Sequence, residues 1–255
     1  ERAMLDVQIV RTMADSFASI YGDLRMLIAI VANILGFFWL WQIIAKPHQK
    51  AKTNETARKA TQTIARVAIF GAIATILYAM PMLQFKVAIF PSFLEFHFDE
   101  IPVFIAGFAY GPITSFLILV VKTLIKLPMT STAGVGEVAD LLYSSAFILP
   151  AALIYKKHRT MKGAWIGFSV GMICQLIASS LGNMFFMIDF YVFFFNLPEA
   201  VLLSIAQVAN PNITDIHYTM VLYGILPFNL LKDAAVILVT FLIYKRTEIV
   251  ICKKI

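Results

Sequence analysis

Asn229 and Lys232 stand three residues apart in an otherwise apolar stretch from Thr219 to Tyr244. On a helix that spacing puts both side chains on one face, about one turn apart. Asn183, in Ser179-Ser180-Leu181-Gly182-Asn183, falls in the outer half of the preceding apolar stretch. A lysine at the centre of a membrane helix costs about 2.5–3.5 kcal/mol on insertion scales, so it needs a partner. An amide donates and accepts while an ammonium only donates. Asn183, Asn229 and Lys232 therefore suit the edge of a flat ligand that alternates carbonyl, N–H and carbonyl. The residues alone leave a second reading open, in which Lys232 pairs with Asp233 or snorkels and the asparagines bond helix to helix. Asp233 points about 100° away around the helix, which weakens that simple pair.

Two loops add candidates. The stretch MLQFKVAIFPSFLEFHFD, from Met82 to Asp99, carries aromatic faces such as Phe85 and Phe93 and polar handles at Lys86 and Glu95. It would close over a flat ligand or form an interfacial belt. Thr130-Ser131-Thr132-Ala133-Gly134-Val135-Gly136 offers the hydroxyls of Thr130 and Thr132 to a sugar-like chain. Ala68 and Ala72 form an A-x-x-x-A stripe, smooth enough for another helix to approach closely, whether internal or from a partner.

Other chemistry is missing. No G-x-x-x-x-G-K-[ST] loop is present for nucleotide phosphates, and no H-E-x-x-H, paired Cys/His spacing or G-x-S-x-G elbow. The four histidines, His48, His97, His158 and His217, map to loops or their edges, and no metal site is expected. A membrane enzyme would need an intramembrane carboxylate pair or histidine, and the linear sequence displays neither. Cys174 and Cys252 have no reason to pair.

The elements that must position these groups are membrane helices. Of 255 residues, 60% are hydrophobic and 14% charged, with a mean hydropathy of +0.81. An ordinary soluble domain carries roughly 25% charge. Soluble enzymes, disordered tails, disulfide scaffolds and coiled coils are excluded. A bilayer core of about 30 Å asks for about 20 apolar residues per helix, and such runs occur at Met26–Ile44, Ile64–Met82, Val135–Tyr155, Ala164–Ile188 and Thr219–Tyr244. Ile101 to Lys126 contains Gly111-Pro112, and Pro is at home in the first turn of a new helix. That stretch is read as a short helix (about 99 to 110) and a second (about 112 to 127).

Positive charge tests the split, because cytoplasmic loops collect Lys and Arg. With it, fourteen of the 21 Lys and Arg fall inside, the Lys156-Lys157-His158-Arg159 cluster included. Arg2, Arg11, Arg25, Lys86, Lys122 and Lys126 fall outside and Lys232 lies within a helix. A single helix would move the cluster outside. The expected fold is an all-α integral membrane protein. Residues 1–63 hold a leader, an extra N-terminal transmembrane helix that starts outside, and a basic cytoplasmic linker. Residues 64–246 form a six-transmembrane-helix core with both ends cytoplasmic, and 247–255 are a basic tail. The net charge of +6 is assigned to cytoplasmic loops against anionic headgroups, with no nucleic-acid partner.

From Ile64 to Arg246 the chain resembles the substrate-binding (S) subunits of energy-coupling factor (ECF) vitamin transporters, most of all the riboflavin-specific members. The residues that carry the resemblance are FLEFHFDEIPVFIAGFAYGP (Phe93 to Pro112), GVGEVADLL (Gly134 to Leu142), the Asn183 region and PFNLLKD (Pro227 to Asp233). The resemblance implies six helices with a short second one, in a prokaryotic cell membrane. It further implies a non-enzymatic subunit without cofactor that binds riboflavin from outside through Asn183, Asn229 and Lys232, under a lid formed by the first external loop. Ala68 and Ala72 would dock on a transmembrane coupling subunit driven by two cytoplasmic ATPases, in keeping with the missing phosphate loop. Pantothenate, a pyridoxine or a flavin nucleotide are the alternative ligands, and a membrane enzyme or scaffold the alternative class. Three features depart from the family pattern: the extra helix, the long loop from Tyr191 to Tyr218, which would alter the lid, and Asp140, where an amide is expected.

Overall fold

A computed structural model describes residues 53–130 and 132–251, with side chains from residue 58 to residue 244. The leader, the extra helix at Met26–Ile44 and most of the basic tail lie outside the described residues. The described part is helical: α1 (Thr53–Ala79), α2 (Glu100–Tyr110), α3 (Pro112–Lys126), α4 (Val135–Lys157), α5 (Met161–Gly182), α6 (Ile188–Phe194), α7 (Glu199–Ala209), α8 (Tyr218–Met220) and α9 (Leu226–Ile251). Among the described residues the sole β pairing is an isolated antiparallel bridge between Phe85 and Phe96.

Among the described residues, five helical stretches are long and apolar enough to cross a membrane: Arg58–Ala79, Pro112–Met129, Val135–Lys157, Met161–Phe194 and Tyr218–Tyr244. The expected split holds. Gly111 adopts φ 99°, ψ 171°, a conformation closed to side chains with a Cβ, and Pro112 opens the next helix. At 1.5 Å per residue, α2 is about 16 Å long, half of a bilayer core of about 30 Å. Its far end meets the basic end of the bundle. Arg66 lies 4.2 Å over the Tyr110 ring, and a Cβ on Gly111 would be 4.0 Å from the Lys156 side chain. The start of α2, Glu100 with Asp99 just before it, is thereby held about half a bilayer thickness from that basic end.

Two expectations need correction. Residues 53–63, read as linker, are the first turns of α1, because TNETARKATQT is polar but free of glycine and proline. The long loop from Tyr191 to Tyr218 contains a helix of its own, α7, whose Leu202 and Ala206 pack with Ile213, Ile216 and Met220.

The main core is aromatic. Phe104 of α2 meets Phe147 of α4 edge-to-face at 4.7 Å and Phe168 of α5 at 5.3 Å. Helices α4 and α5 pack along their length, as do α1 and α3. On α5, Gly163, Gly167, Gly171, Gln175 and Ser179 recur every four residues and are all buried. At the centre of this stripe a Cβ on Gly171 would sit 2.2 Å from the Phe147 carbonyl oxygen, so the two backbones touch.

Candidate functional site

Both helices that carry the predicted ligand groups are locally widened. A π-turn, Asn183–Met187, follows α5, and another, Val221–Ile225, precedes α9. Such turns interrupt the ordinary ladder and re-aim side chains beside them. Asn183 Nδ2 donates to the Ser179 carbonyl at 2.8 Å, and Asn229 Nδ2 to the Ile225 carbonyl at 3.0 Å.

These two asparagines and Lys232 line one cavity of about 260 Å³ with Gln175, Tyr78 and Tyr143. Phe93, Glu95 and Thr132 line it too. A second cavity of about 420 Å³ shares Phe93, Leu94, Asn183, Met187, Tyr191 and Ile225 with the first and continues toward Leu202 and Met220 of the apolar cluster around α7. One end is therefore rich in polar groups and the other apolar, as a pocket for a flat amphipathic ligand should be.

Phe85 and Thr130 are not among the lining residues. Phe85 is bridged to Phe96 and its ring stacks on that residue at 5.1 Å, which turns it outward. Thr130 and Thr132 both donate to Glu137 Oε2, at 2.6 and 2.9 Å. Their oxygens also accept from the backbone amides of Thr132, Gly134 and Gly136. The hydroxyls build the loop. Lys86 and Glu95, read as two handles, face each other at 3.6 Å on the exposed side.

Lys232 does not pair with Asp233. Its Nζ lies 2.7 Å from Glu100 Oε1 and 3.4 Å from His97 Nε2. Lys122, counted as an external charge, is fully buried, paired with Asp99 and, at 2.9 Å, with Asp140 Oδ2. His97 Nδ1 bonds Asp99. An ammonium can only donate, so Nε2 facing Lys232 is the acceptor and Nδ1 the donor to Asp99, an assignment made from the network. Asp140, whose role the sequence left in doubt, is thus a structural member of this group.

A histidine and carboxylates that no single helix displays are assembled beside the cavity: His97 and Asp99 come from the loop before α2, Glu100 from α2 and Asp140 from α4, and α3 and α9 bring Lys122 and Lys232 to them. The sequence signal is three acids and two lysines in or beside apolar stretches, but their partners are distant along the chain. His97, Glu100 and Asp140 bring one potential ligand atom each within 4.8 Å of one another. Glu100 and Asp140 already hold an ammonium each, so a cation entering there would have to displace a lysine.

Ala68 and Ala72 lie on the exposed face of α1, beside Ile69 at 61% and Ile73 at 46% exposure. No helix of the described residues covers the stripe.

The sequence matches the family model described as "ECF transporter, substrate-specific component" over residues 62–244. It is 28% identical over 181 residues to the riboflavin transporter RibU of Staphylococcus aureus, covering 71% of this chain and 89% of that protein. It is 27% identical over 184 residues to the riboflavin transporter FmnP of Bacillus subtilis, covering 71% of this chain and 90% of that one. The fold resembles a solved S component of a bacterial ECF transporter with a TM-score of 0.58 at 24% identity, over 73% of this chain and 95% of the other.

Proposed function

Since the chain belongs to the family of ECF transporter substrate-specific components, we propose that it is the riboflavin-binding subunit of an ATP-driven vitamin uptake transporter. The observation that carries the reading is the convergence of Asn183, Asn229 and Lys232 on one cavity, in a chain whose relatives at 27–28% identity are riboflavin transporters. The polar end takes the pyrimidine edge of the isoalloxazine, and the neighbouring apolar cavity accepts the rest of the ring system. Phe93 and Glu95 belong to the stretch that covers the ligand, which enters from the outside of a prokaryotic cell membrane. Both ends of the helical core then face the cytoplasm.

A phosphorylated flavin fits less well. Lys232, Lys122 and Lys86 each face a carboxylate; Lys126 also lines the cavity, but so do Glu95, Glu100, Glu137 and Asp140, so a phosphate would meet more negative charge than free cation. Pantothenate or a pyridoxine would leave part of this donor and acceptor set unmatched.

Transport energy comes from other chains. The exposed Ala68 and Ala72 stripe docks on a transmembrane coupling subunit, which two cytoplasmic ATPases drive. The reading is tested on the protein purified in detergent from riboflavin-fed cells. Yellow material with flavin absorption bands, and saturable quenching of riboflavin fluorescence by stripped protein, are the expected results. Folded protein that neither carries nor takes up riboflavin would overturn the assignment.

A further inference from the structure

Gln175 enters none of the roles above, although it is 5% exposed and lines the polar end of the cavity. Its orientation follows from its neighbours. A backbone carbonyl can only accept, so the atom Asn229 turns toward the Ile225 carbonyl must be Nδ2. The other atom of that amide, Oδ1, can only accept, and the Gln175 atom 3.2 Å from it must be Nε2. Gln175 Oε1 is thereby fixed as an acceptor. It is buried and makes no hydrogen bond within the protein.

The same reasoning leaves Asn183 with its Oδ1 free to accept, since its Nδ2 is given to Ser179. Asn183 is only half-buried, and its oxygen can be served by water. Gln175 is closed off from solvent. An unmet acceptor there carries a larger penalty and a donor from the ligand a larger reward. Lys232 and the remaining N–H of Asn229 donate, and Gln175 Oε1 sets a buried amide acceptor beside them.

We propose that Gln175 is a specificity-determining residue whose Oε1 accepts a hydrogen bond from a ring N–H flanked by two carbonyls, the imide of a flavin. The inference rests on the riboflavin reading. Gln175 then has two tasks, holding the Asn229 amide in place and reading the proton on the ligand nitrogen. It selects imide ligands over analogues alkylated at that nitrogen.

The test uses the full chain in detergent, titrated by fluorescence quenching with riboflavin and with 3-methylriboflavin, whose imide nitrogen carries a methyl group. The wild type should bind the methylated compound at least about tenfold more weakly, the scale of one buried hydrogen bond left unmade. Gln175→Ala, which also gives up the bond to Asn229, should weaken both ligands and cost riboflavin about a further tenfold, so that the two affinities come within about twofold. Gln175→Glu, which keeps an acceptor there but gives up the bond to Asn229, should retain the preference for riboflavin at lower overall affinity. Equal losses for both ligands in Gln175→Ala would reduce Gln175 to a support for Asn229 and overturn the inference while leaving the riboflavin reading intact. Absence of riboflavin binding by folded wild type would overturn both.

Discussion

Lys232 Nζ sits 2.7 Å from Glu100 Oε1, an ion pair that ties the last helix to the start of the half-length second one. Lys232 is 6% exposed and Glu100 3%, so neither charge can fall back on water. Removing one partner of such a pair leaves an uncompensated buried charge, which is more damaging than removing both. Glu100→Gln is therefore expected to destabilise the protein by about 3–5 kcal/mol. The double change Glu100→Gln with Lys232→Met should recover much of the loss. Thermal unfolding in detergent checks this, and a double variant no better than the single one would dissociate the two residues.

Asn229→Ala and Lys232→Ala should each weaken riboflavin binding by about 1–3 kcal/mol, the usual result of leaving a buried partner unsatisfied. Only Lys232→Ala should also lower the melting temperature strongly, because it strands Glu100. Titration calorimetry on both variants separates the two effects, and wild-type affinity in both would remove these residues from the ligand.

Ala68→Trp should abolish uptake in cells and leave affinity for the purified protein unchanged, since the stripe is exposed and remote from the cavity lining. Parallel uptake and binding assays decide it. Loss of binding would place the stripe in a structural role.

Asp215 caps the turn that starts the last transmembrane segment. Its carboxylate accepts from the amides of His217 at 2.9 Å, Tyr218 at 2.6 Å and Thr219 at 3.1 Å. Slight burial pushes this carboxyl up, but the hydrogen bonds from Thr219, Tyr218 and His217 outweigh it and hold the group below its ordinary value of 3.8. A carboxyl lowered on folding stabilises the protein above the unfolded-state value, and the contribution disappears as pH falls through the folded-state value. Asp215→Ala should cost about 0.5–2 kcal/mol at neutral pH. The gap to wild type should narrow in melts carried progressively below pH 4, and a gap constant with pH would dismiss the charged cap.

Punctuation and charge made much of the architecture legible in the sequence. Gly111-Pro112 announces a break that no apolar count would reveal, and the structure places it between two helices. Asn229 and Lys232 could be paired from their spacing because three residues on a helix is a local relation. Lys122 was misplaced outside for the complementary reason. Near a helix end a lysine looks like a loop charge until its partners are known, and Asp99 and Asp140 lie 23 and 18 residues away. Thr130 offers a hydroxyl in the sequence, and its engagement with Glu137, seven residues on, is visible only in the fold. Gln175 could have been found, since it continues the four-residue rhythm of Gly163, Gly167 and Gly171 toward Asn183.

The touching backbones at Gly171 and Phe147 give residue 171 control over a dimension it does not border. Gln175 and Asn183 on one wall, and Glu137, Asp140 and Tyr143 on the other, are carried by helices whose separation is fixed a turn or more deeper in the bundle. A single methyl group at 171 would act as a wedge, prising the walls apart above it. The gauge of the chamber, and with it the thickness of any flat ligand it could hold, is thus set by a missing side chain outside the chamber.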